Sequence, residues 1–309
     1  MARLLFVHAH PDDETLTCGV TMAHHVARGD EVHVLTCTLG EEGEVVPPGL
    51  AHLEGDPADG LGPYRHGELS RALRALGVTG HVLGADPAAG RLSRYRDSGM
   101  AGSPAARRPE AFAAARPDDA GALVAAVLRE LRPDVVVTYD EHGGYRHPDH
   151  IQTHRVTRRA LQLLGDEDLP ARTYEILTPV GWAREDRAWL CNADPDLLDT
   201  AVWWREQDLG ASGADAPAPP RLVLPAADDP FPPSVVDDDL VTHVVHDDEA
   251  RSAKNAALRA HATQVIVASE DVHALSNLVA VRTTGREGFR QVDPRTWEPT
   301  GRRGSDLLD

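Results

Sequence analysis

The first half of the chain alternates short apolar runs with segments in which apolar residues recur at helical spacing. The runs predict strands, and the segments predict helices that end at Gly29, Gly77 or Gly165, or before Pro133. The predicted strands are 3–8, 31–36, 81–83 and 135–139, and the predicted helices are 15–28, 64–76, 119–131 and 151–164. This alternation predicts an α/β fold, a Rossmann-like doubly wound, mainly parallel sheet with helices on both faces.

The pattern weakens after residue 170. A strand is predicted at 173–178 and a helix at 249–262. Residues 208–239 are rich in Pro, Ala and Asp, which predicts a long surface loop or a partly disordered linker. The last residues carry Gly, Pro and charge, and we expect them to be loose. The expected organisation is a single domain over 1–309, with a catalytic core at 1–170, a smaller C-terminal cap region at 171–285 and a loose tail at 286–309.

Two polar clusters directly follow predicted strands. HAHPDDE occupies residues 8–14, behind the first apolar run, and YRHPDH occupies residues 145–150, beyond the strand at 135–139. The carboxyl ends of strands in an open α/β sheet meet at one edge, where active sites lie. Each cluster alone is also explained by a helix start, because proline and acids favour a first turn. Both clusters together indicate a divalent metal site with spare acid and base groups.

Three residues form the best ligand set, because a hydrolytic zinc site takes three His or carboxylate ligands and keeps a position for water. His10 and Asp13 are three apart across the strand-to-helix turn, and His150 comes from the second cluster. Asp12 is left beside the metal as a candidate general base. Asp149 can orient a histidine ligand from behind, or can simply favour the start of a helix.

Composition narrows the function further. The net charge of −18 argues against a nucleic-acid ligand and against an anionic membrane surface. No apolar stretch approaches the roughly 20 residues of a membrane span. The three cysteines are an odd, widely spread set that suits a reducing cytoplasm. The sequence contains no HExxH, GxSxG, GxGxxG or Walker motif. The oligomeric state stays open, a homo-oligomer included.

The two clusters also resemble the paired motifs of the LmbE/PIG-L family of zinc-dependent N-deacetylases. The matching segments are AHPDDE at 9–14 and HPDH at 147–150, and the resemblance runs from about residue 3 to about residue 282. Three stretches narrow it to members that remove acetate from N-acetylglucosaminyl-inositol in the mycothiol pathway: TCTLGEEGE at 36–44, RYRDSGM at 94–100 and HATQ at 261–264. The resemblance implies one zinc ion per subunit and a small amino-sugar/inositol substrate. A His/Asp/His set also accepts ferrous iron or cobalt.

The resemblance assigns further roles. It implies the same three ligands and makes His147 the general acid for the leaving amine. Tyr145, which follows two glycines, can hydrogen-bond the acyl oxygen or simply pack, and the resemblance favours the first. It also implies that Arg65 and Asp97 bind the sugar or inositol, with Glu44 a weaker candidate for the same pocket. By chemistry alone, Arg65 is better explained as a surface charge on a helix.

One alternative to deacetylation of this inositol glycoside is deacetylation of another amino sugar. Three further alternatives remain. Mycothiol S-conjugate amidases share both histidine motifs, but they are expected to carry a lysine shortly after the first, where this chain has TLTCG at 15–19. Phosphoester hydrolysis would require two metals and more positive charge than Arg146 alone supplies. A non-catalytic sugar-binding module would not need Asp12.

Overall fold

The computed structural model of the protein describes residues 1–206 and 218–309. Its strands are β1 (Arg3–His8), β2 (Glu31–Thr36), β3 (Thr79–Val82), β4 (Val135–Tyr139), β5 (Arg172–Ile176), β6 (Thr178–Pro179), β7 (Val235–Val236), β8 (His243–His246), β9 (Ile266–Val267), β10 (Val272–Ala274), β11 (Val281–Arg282) and β12 (Arg286–Val292). Its helices are α1 (Asp13–Ala27), α2 (Leu61–Leu76), α3 (Pro117–Leu131), α4 (Gly143–Arg146), α5 (Pro148–Gln162), α6 (Val180–Cys191), α7 (Ala201–Glu206) and α8 (Arg251–Ala260). Every strand and helix predicted before residue 170 is present.

Seven strands form the main sheet, in the order β3-β2-β1-β4-β5-β12-β8. The first five are parallel, and β12 runs antiparallel to both β5 and β8. The chain moves outward from β1 to β3 and then crosses to β4 on the other side of β1, so the strand order reverses between β1 and β4. Such a switch point opens a crevice at the carboxyl ends of the strands. The predicted fold class is confirmed.

Helices cover both faces of the sheet. Successive residues of a strand point to opposite faces, and in the central strands the residues on both faces are apolar. Leu4 and Phe6 of β1 pack in the cluster formed with α1, α2 and α8. Leu5 and Val7 pack in the opposite cluster, formed with α3 and α5. All four side chains are fully buried, which fixes the end of β1 in position.

The expectation of a loose tail at 286–309 is wrong. Residues Arg286–Val292 form β12, with Phe289 opposite Ile176 of β5 and also opposite His243 of β8. The last residues are anchored as well, because the Tyr174 hydroxyl donates to the carbonyl of Leu307 at 3.0 Å. These partners lie far away in the chain, so no local pattern could indicate the pairing.

The remaining C-terminal elements form a cap beside the main sheet. It comprises α6, α7 and an antiparallel sheet in the order β11-β10-β9. Of the loop expected at 208–239, residues 208–217 lie outside the described residues, and the rest contains the short strand β7. Within the described ranges, no helix combines the length and apolarity that crossing a bilayer requires.

Candidate active site

Two turns at the carboxyl edge of the main sheet carry the site. The first, residues 9–12, joins β1 to α1, and the second, residues 140–147, joins β4 to α5. Backbone pairing continues past the end of β1, since the Thr38 N–H donates to the Ala9 carbonyl at 2.9 Å. His147 caps α5, because its Nδ1 accepts from the Asp149 N–H at 3.2 Å. The switch point between β1 and β4 therefore brings the two polar clusters together.

Three candidate ligand atoms lie at the corners of a nearly equilateral triangle. His10 Nδ1 is 3.3 Å from Asp13 Oδ2, His150 Nε2 is 3.2 Å from the same oxygen, and the two nitrogens are 3.3 Å apart. A tetrahedral zinc ion with bonds of 2.0–2.1 Å requires ligand atoms separated by about 3.3–3.4 Å. The triangle therefore fits one tetrahedral divalent ion with a fourth position open.

Carboxylates behind His10 orient its ring toward this triangle. His10 Nε2 lies 3.3 Å from Asp149 Oδ2 and 3.4 Å from Asp97 Oδ1. Asp149 is fixed in turn by Ser98, whose N–H donates at 2.9 Å and whose hydroxyl donates at 2.5 Å. A proton on Nε2 leaves the lone pair of Nδ1 for a metal, which is the usual way such a ligand is held.

Two other groups of three also come close enough to share an ion. The ligand atoms of His10, His147 and His150 lie within 4.8 Å of one another, as do those of His10, Asp97 and Asp149. The second group faces the back of His10 and is occupied by the hydrogen bonds just described. The ligand atoms of His10, Asp13 and His150 are 3.2–3.3 Å apart, the separation that a tetrahedral ion requires.

Neighbouring charges strongly shift the pKa values of His10 and Asp13. Burial disfavours a charged His10, but the nearby carboxylates of Asp97, Asp13 and Asp149 outweigh it and raise the pKa of the imidazole well above its ordinary value. Burial likewise opposes ionisation of Asp13, yet His150 and His10 hold the pKa of its carboxyl well below the usual range. A bound cation would replace the proton on His10, since metal ligation requires neutral imidazole.

Asp12 occupies a strained position at the end of the first turn. Its backbone has φ 105° and ψ −35°, a region that residues other than glycine rarely adopt and that costs about 1–3 kcal/mol. Burial raises the pKa of its carboxyl to about 7, even though Arg65 opposes the shift. A carboxylate with a pKa near neutrality, next in sequence to the ligand Asp13, suits a general base.

Arg65 is not the surface charge that its chemistry alone suggested. It is 3 % exposed, and its guanidinium donates to the carbonyls of Gly40 at 2.7 Å and Pro11 at 2.6 Å. It also lies 3.3 Å from Asp12 Oδ2. Arg65 thus binds both the main chain of the first turn and the carboxylate of Asp12.

The other predicted substrate residues lie on the loops around the turn. Asp97 is buried, and its Oδ1 accepts from the Gly99 N–H at 2.8 Å while its Oδ2 accepts from the Glu42 N–H at 3.2 Å. Burial opposes its ionisation, but His10 holds the pKa of Asp97 well below its usual range. Glu44 is exposed. The structure therefore places Asp97 against His10 and leaves Glu44 at the rim.

The second turn is built on glycines and is more open. Gly143 and Gly144 have φ values of 62° and 70°, and a Cβ on Gly143 would lie 2.6 Å from that of His150. Tyr145 is 51 % exposed, and its ring centroid lies 4.9 Å from that of His150 and 6.0 Å from that of His147. Burial, reinforced by His10 and His150, lowers the pKa of His147 to about 3.

One buried pair near the site was not assigned a role from the sequence. Glu14 and His261 are both fully buried, with Glu14 Oε1 2.9 Å from His261 Nε2. Glu14 directly follows Asp13, and His261 belongs to the HATQ segment, so both were visible as motif residues. Their contact spans 247 positions in the chain, and no spacing rule connects them.

Known proteins are similar to this chain over most of its length. A family model described as PIG-L, GlcNAc-PI de-N-acetylase, matches residues 5–161. A protein of Streptomyces scabiei is 45 % identical over 312 residues, covering 99 % of this chain and 89 % of that protein. A Streptomyces avermitilis protein is 46 % identical over 307 residues, covering 99 % and 96 %. Both are named 1D-myo-inositol 2-acetamido-2-deoxy-alpha-D-glucopyranoside deacetylase.

A solved structure is similar more distantly. The conserved protein TT1542 from Thermus thermophilus is 22 % identical with a TM-score of 0.45, covering 85 % of this chain and 80 % of that one. This likeness is too low to bear on function. The family match over residues 5–161 and the identity of 45 % and 46 % to deacetylases over 99 % of the chain show that the chain belongs to the PIG-L family of N-deacetylases.

Proposed function

We propose that the protein hydrolyses the acetamide of 1D-myo-inositol 2-acetamido-2-deoxy-α-D-glucopyranoside and releases acetate and the free amine. The observation that carries this proposal is the triangle of His10, Asp13 and His150, with ligand atoms 3.2–3.3 Å apart and an unligated carboxylate at Asp12. The substrate is supported by relatives of that name that are 45 % and 46 % identical over 99 % of this chain.

The three triangle residues would hold one divalent ion, which we propose to be zinc. The chemistry supplied by such an ion is polarisation of the acetamide carbonyl and a lowered pKa for water, toward about 7. Asp97 and Asp149 keep the ring of His10 in the orientation that presents Nδ1 to the triangle. These two carboxylates therefore contribute through His10.

Asp12 is the candidate base that takes a proton from the attacking water. Burial raises the pKa of its carboxyl, and a raised pKa favours uptake of a proton from water. Arg65 contacts its carboxylate at 3.3 Å, and the backbone of Asp12 has φ 105°. Removal of Asp12 should therefore abolish most turnover without removing the ion.

His147 is the candidate acid for the leaving amine. Because its Nδ1 accepts from the Asp149 N–H, the proton of the neutral ring sits on Nε2. A pKa lowered to about 3 keeps that ring neutral before substrate binds. The proton for the amine is therefore the one that Asp12 takes from the attacking water, and the neutral His147 assists by donating a hydrogen bond from Nε2 to the leaving nitrogen.

The remaining side chains have roles around the substrate. Tyr145, half exposed beside His147 and His150, is placed to donate its hydroxyl to the oxyanion that forms from the acetamide. Arg65 and Asp97 are already engaged with the protein, so hydroxyl binding by either would have to share existing partners. Glu44, at the exposed rim, is the candidate for contact with the distal ring.

The test is acetate release from the inositol glycoside and, in parallel, from N-acetylglucosamine. Protein reconstituted with zinc should favour the glycoside by about tenfold or more in kcat/KM, because a site that grips distal hydroxyls loses those contacts with the smaller sugar. Protein from which a chelator has removed the metal is the control and should release no acetate. No release from either compound by fully metal-loaded protein would overturn the proposal. Equal rates would leave an amidohydrolase without inositol specificity.

A further inference from the structure

The HATQ segment, residues 261–264, has no part in the chemistry proposed above, yet it contacts three elements of the site. Its first residue pairs with Glu14, as described above. Thr263 donates to both carboxylate oxygens of Glu68 on α2, from its N–H at 2.9 Å and from its hydroxyl at 2.6 Å. The Gln264 amide donates to the carbonyl of Glu44 at 2.9 Å. The segment therefore joins the start of α1, α2 and the loop at 40–44.

Glu14 links this segment to the backbone of Asp12. Its Oε2 accepts from the Asp12 N–H at 3.0 Å, while its Oε1 accepts from the Thr15 hydroxyl at 2.6 Å and contacts His261 at 2.9 Å. The N–H that Glu14 binds belongs to the residue with φ 105°. A fully buried carboxylate thus holds the strained residue on its amide side.

Asp12 is also contacted by a residue of α2. Arg65 donates to the Pro11 carbonyl and contacts the Asp12 carboxylate, and Glu68 lies three residues further along the same helix. Because Thr263 binds Glu68, α2 is anchored by the same segment that anchors Glu14. Strained conformations persist only where the surroundings determine them from several sides. Glu14 on one side of Asp12 and α2 on the other are both bound by residues 261–264.

We propose that Glu14 and His261 are positioning residues for Asp12, holding its strained backbone so that its carboxylate faces the metal position. This proposal rests on the proposed function, in which Asp12 is the base. The simpler explanation is that Glu14 merely caps the start of α1, as acids in a first turn commonly do. A cap contributes to stability regardless of the side chain at residue 12, whereas a positioning residue matters only while Asp12 is present.

A double-mutant cycle separates the two explanations. Glu14→Ala and His261→Asn are each made in the natural sequence and in an Asp12→Asn background, and kcat, KM, metal content and Tm are measured. Glu14→Ala should lower kcat by about 30-fold with KM changed less than about threefold and metal retained. In the Asp12→Asn background the same change should alter the residual rate by less than about twofold. His261→Asn should follow the same pattern with a smaller loss.

Two further variants serve as controls. His25→Asn removes a fully buried histidine at the far end of α1 that bonds Asp30 at 3.0 Å, and it should lower Tm without changing kcat. Glu14→Gln keeps an oxygen for the Asp12 N–H and should restore part of the rate lost in Glu14→Ala. If Glu14→Ala does not fold, Glu14→Gln and His261→Asn complete the same cycle.

The outcomes distinguish failure of this inference from failure of the proposed function. Equal losses from Glu14→Ala with and without Asp12, or loss of metal, would overturn the positioning role. Normal activity of Glu14→Ala and His261→Asn beside an impaired Asp12→Asn would do the same and leave the proposed function standing. Normal activity of Asp12→Asn itself would show that the proposed base is wrong.

Discussion

The two turns that form the site differ in how firmly the protein holds them. The first turn, at 9–12, is buried and is held by Glu14 and Arg65 through hydrogen bonds to its main chain. The second, at 140–147, contains two consecutive glycines with positive φ and carries a tyrosine that is 51 % exposed. One turn is fixed from several directions, and the other faces solvent.

This difference matches what each turn has to do. A metal ligand and a base must keep their distances to within a few tenths of an ångström, which requires neighbours that lock them. A group that meets the substrate has to let it enter, and glycines with an exposed side chain permit that. Substitutions in the first turn should therefore affect metal and chemistry, whereas substitutions in the second should affect rate alone.

The largest expected effect is the loss of a ligand. His150→Ala removes one corner of the triangle and should reduce bound metal and turnover together, with a rate loss of about a thousandfold or more. Metal content by elemental analysis and acetate release are measured on the same sample. His154→Ala is the matched control, because that buried imidazole lies on the same helix and bonds the Tyr139 carbonyl instead. Stoichiometric metal in His150→Ala would show that the ligand set is wrong.

Asp97→Asn tests the carboxylate behind His10. An orienting role predicts that metal affinity falls by about 10- to 100-fold, measured by competition with a chelating dye. A direct role in binding substrate hydroxyls predicts a higher KM at unchanged metal affinity. The 3.4 Å contact with His10 leads us to expect the first result. A rise in KM alone would assign Asp97 to the substrate.

A pair of glycine substitutions compares Arg65, which holds the first turn, with the second turn. A Cβ at Gly40 would lie 1.9 Å from Arg65 Nη1, so Gly40→Ala must displace the arginine and should lower kcat by about 30-fold. At Gly144 the nearest atom is Ser234 Oγ at 3.9 Å, so Gly144→Ala meets only backbone strain and should cost about threefold. A larger loss at Gly144 than at Gly40 would reverse the comparison.

Among the substitutions that remove a functional group, the smallest expected effect is at Tyr145. Tyr145→Phe removes one hydroxyl from a half-exposed ring and should lower kcat by about tenfold, at the low end for an oxyanion donor, with KM and metal unchanged. Steady-state kinetics of acetate release measures both constants. An unchanged kcat would show that the ring only packs against the substrate.

Local patterns were sufficient for the parallel core and for the meeting of the two histidine motifs. Each strand there is a short apolar run and each helix has its own end signal, so the fold follows from neighbouring residues. The motifs His10–Asp13 and His147–His150 stand at strand ends, and the switch in strand order between β1 and β4 brings them together. The meeting of these motifs at one sheet edge could therefore be predicted without the structure.

Long-range contacts account for what the sequence did not reveal. The strand β12 contains Glu287 and Arg290, so it lacks an apolar signature, and their charges are neutralised by Lys254 and Glu175 from distant segments. Arg65 looked like a surface charge because its carbonyl partners lie 25 and 54 residues away. Such partners become visible only once the chain is folded.

The most direct test of the account is Asp12→Asn, assayed for metal and for acetate release on one preparation. Metal binding and proton transfer are assigned to different residues, so this isosteric change should leave the ion bound in the natural amount and reduce kcat by about 100-fold or more. Loss of metal would make Asp12 a ligand rather than a base. Retention of both metal and full turnover would contradict the central claim that this carboxylate carries the proton.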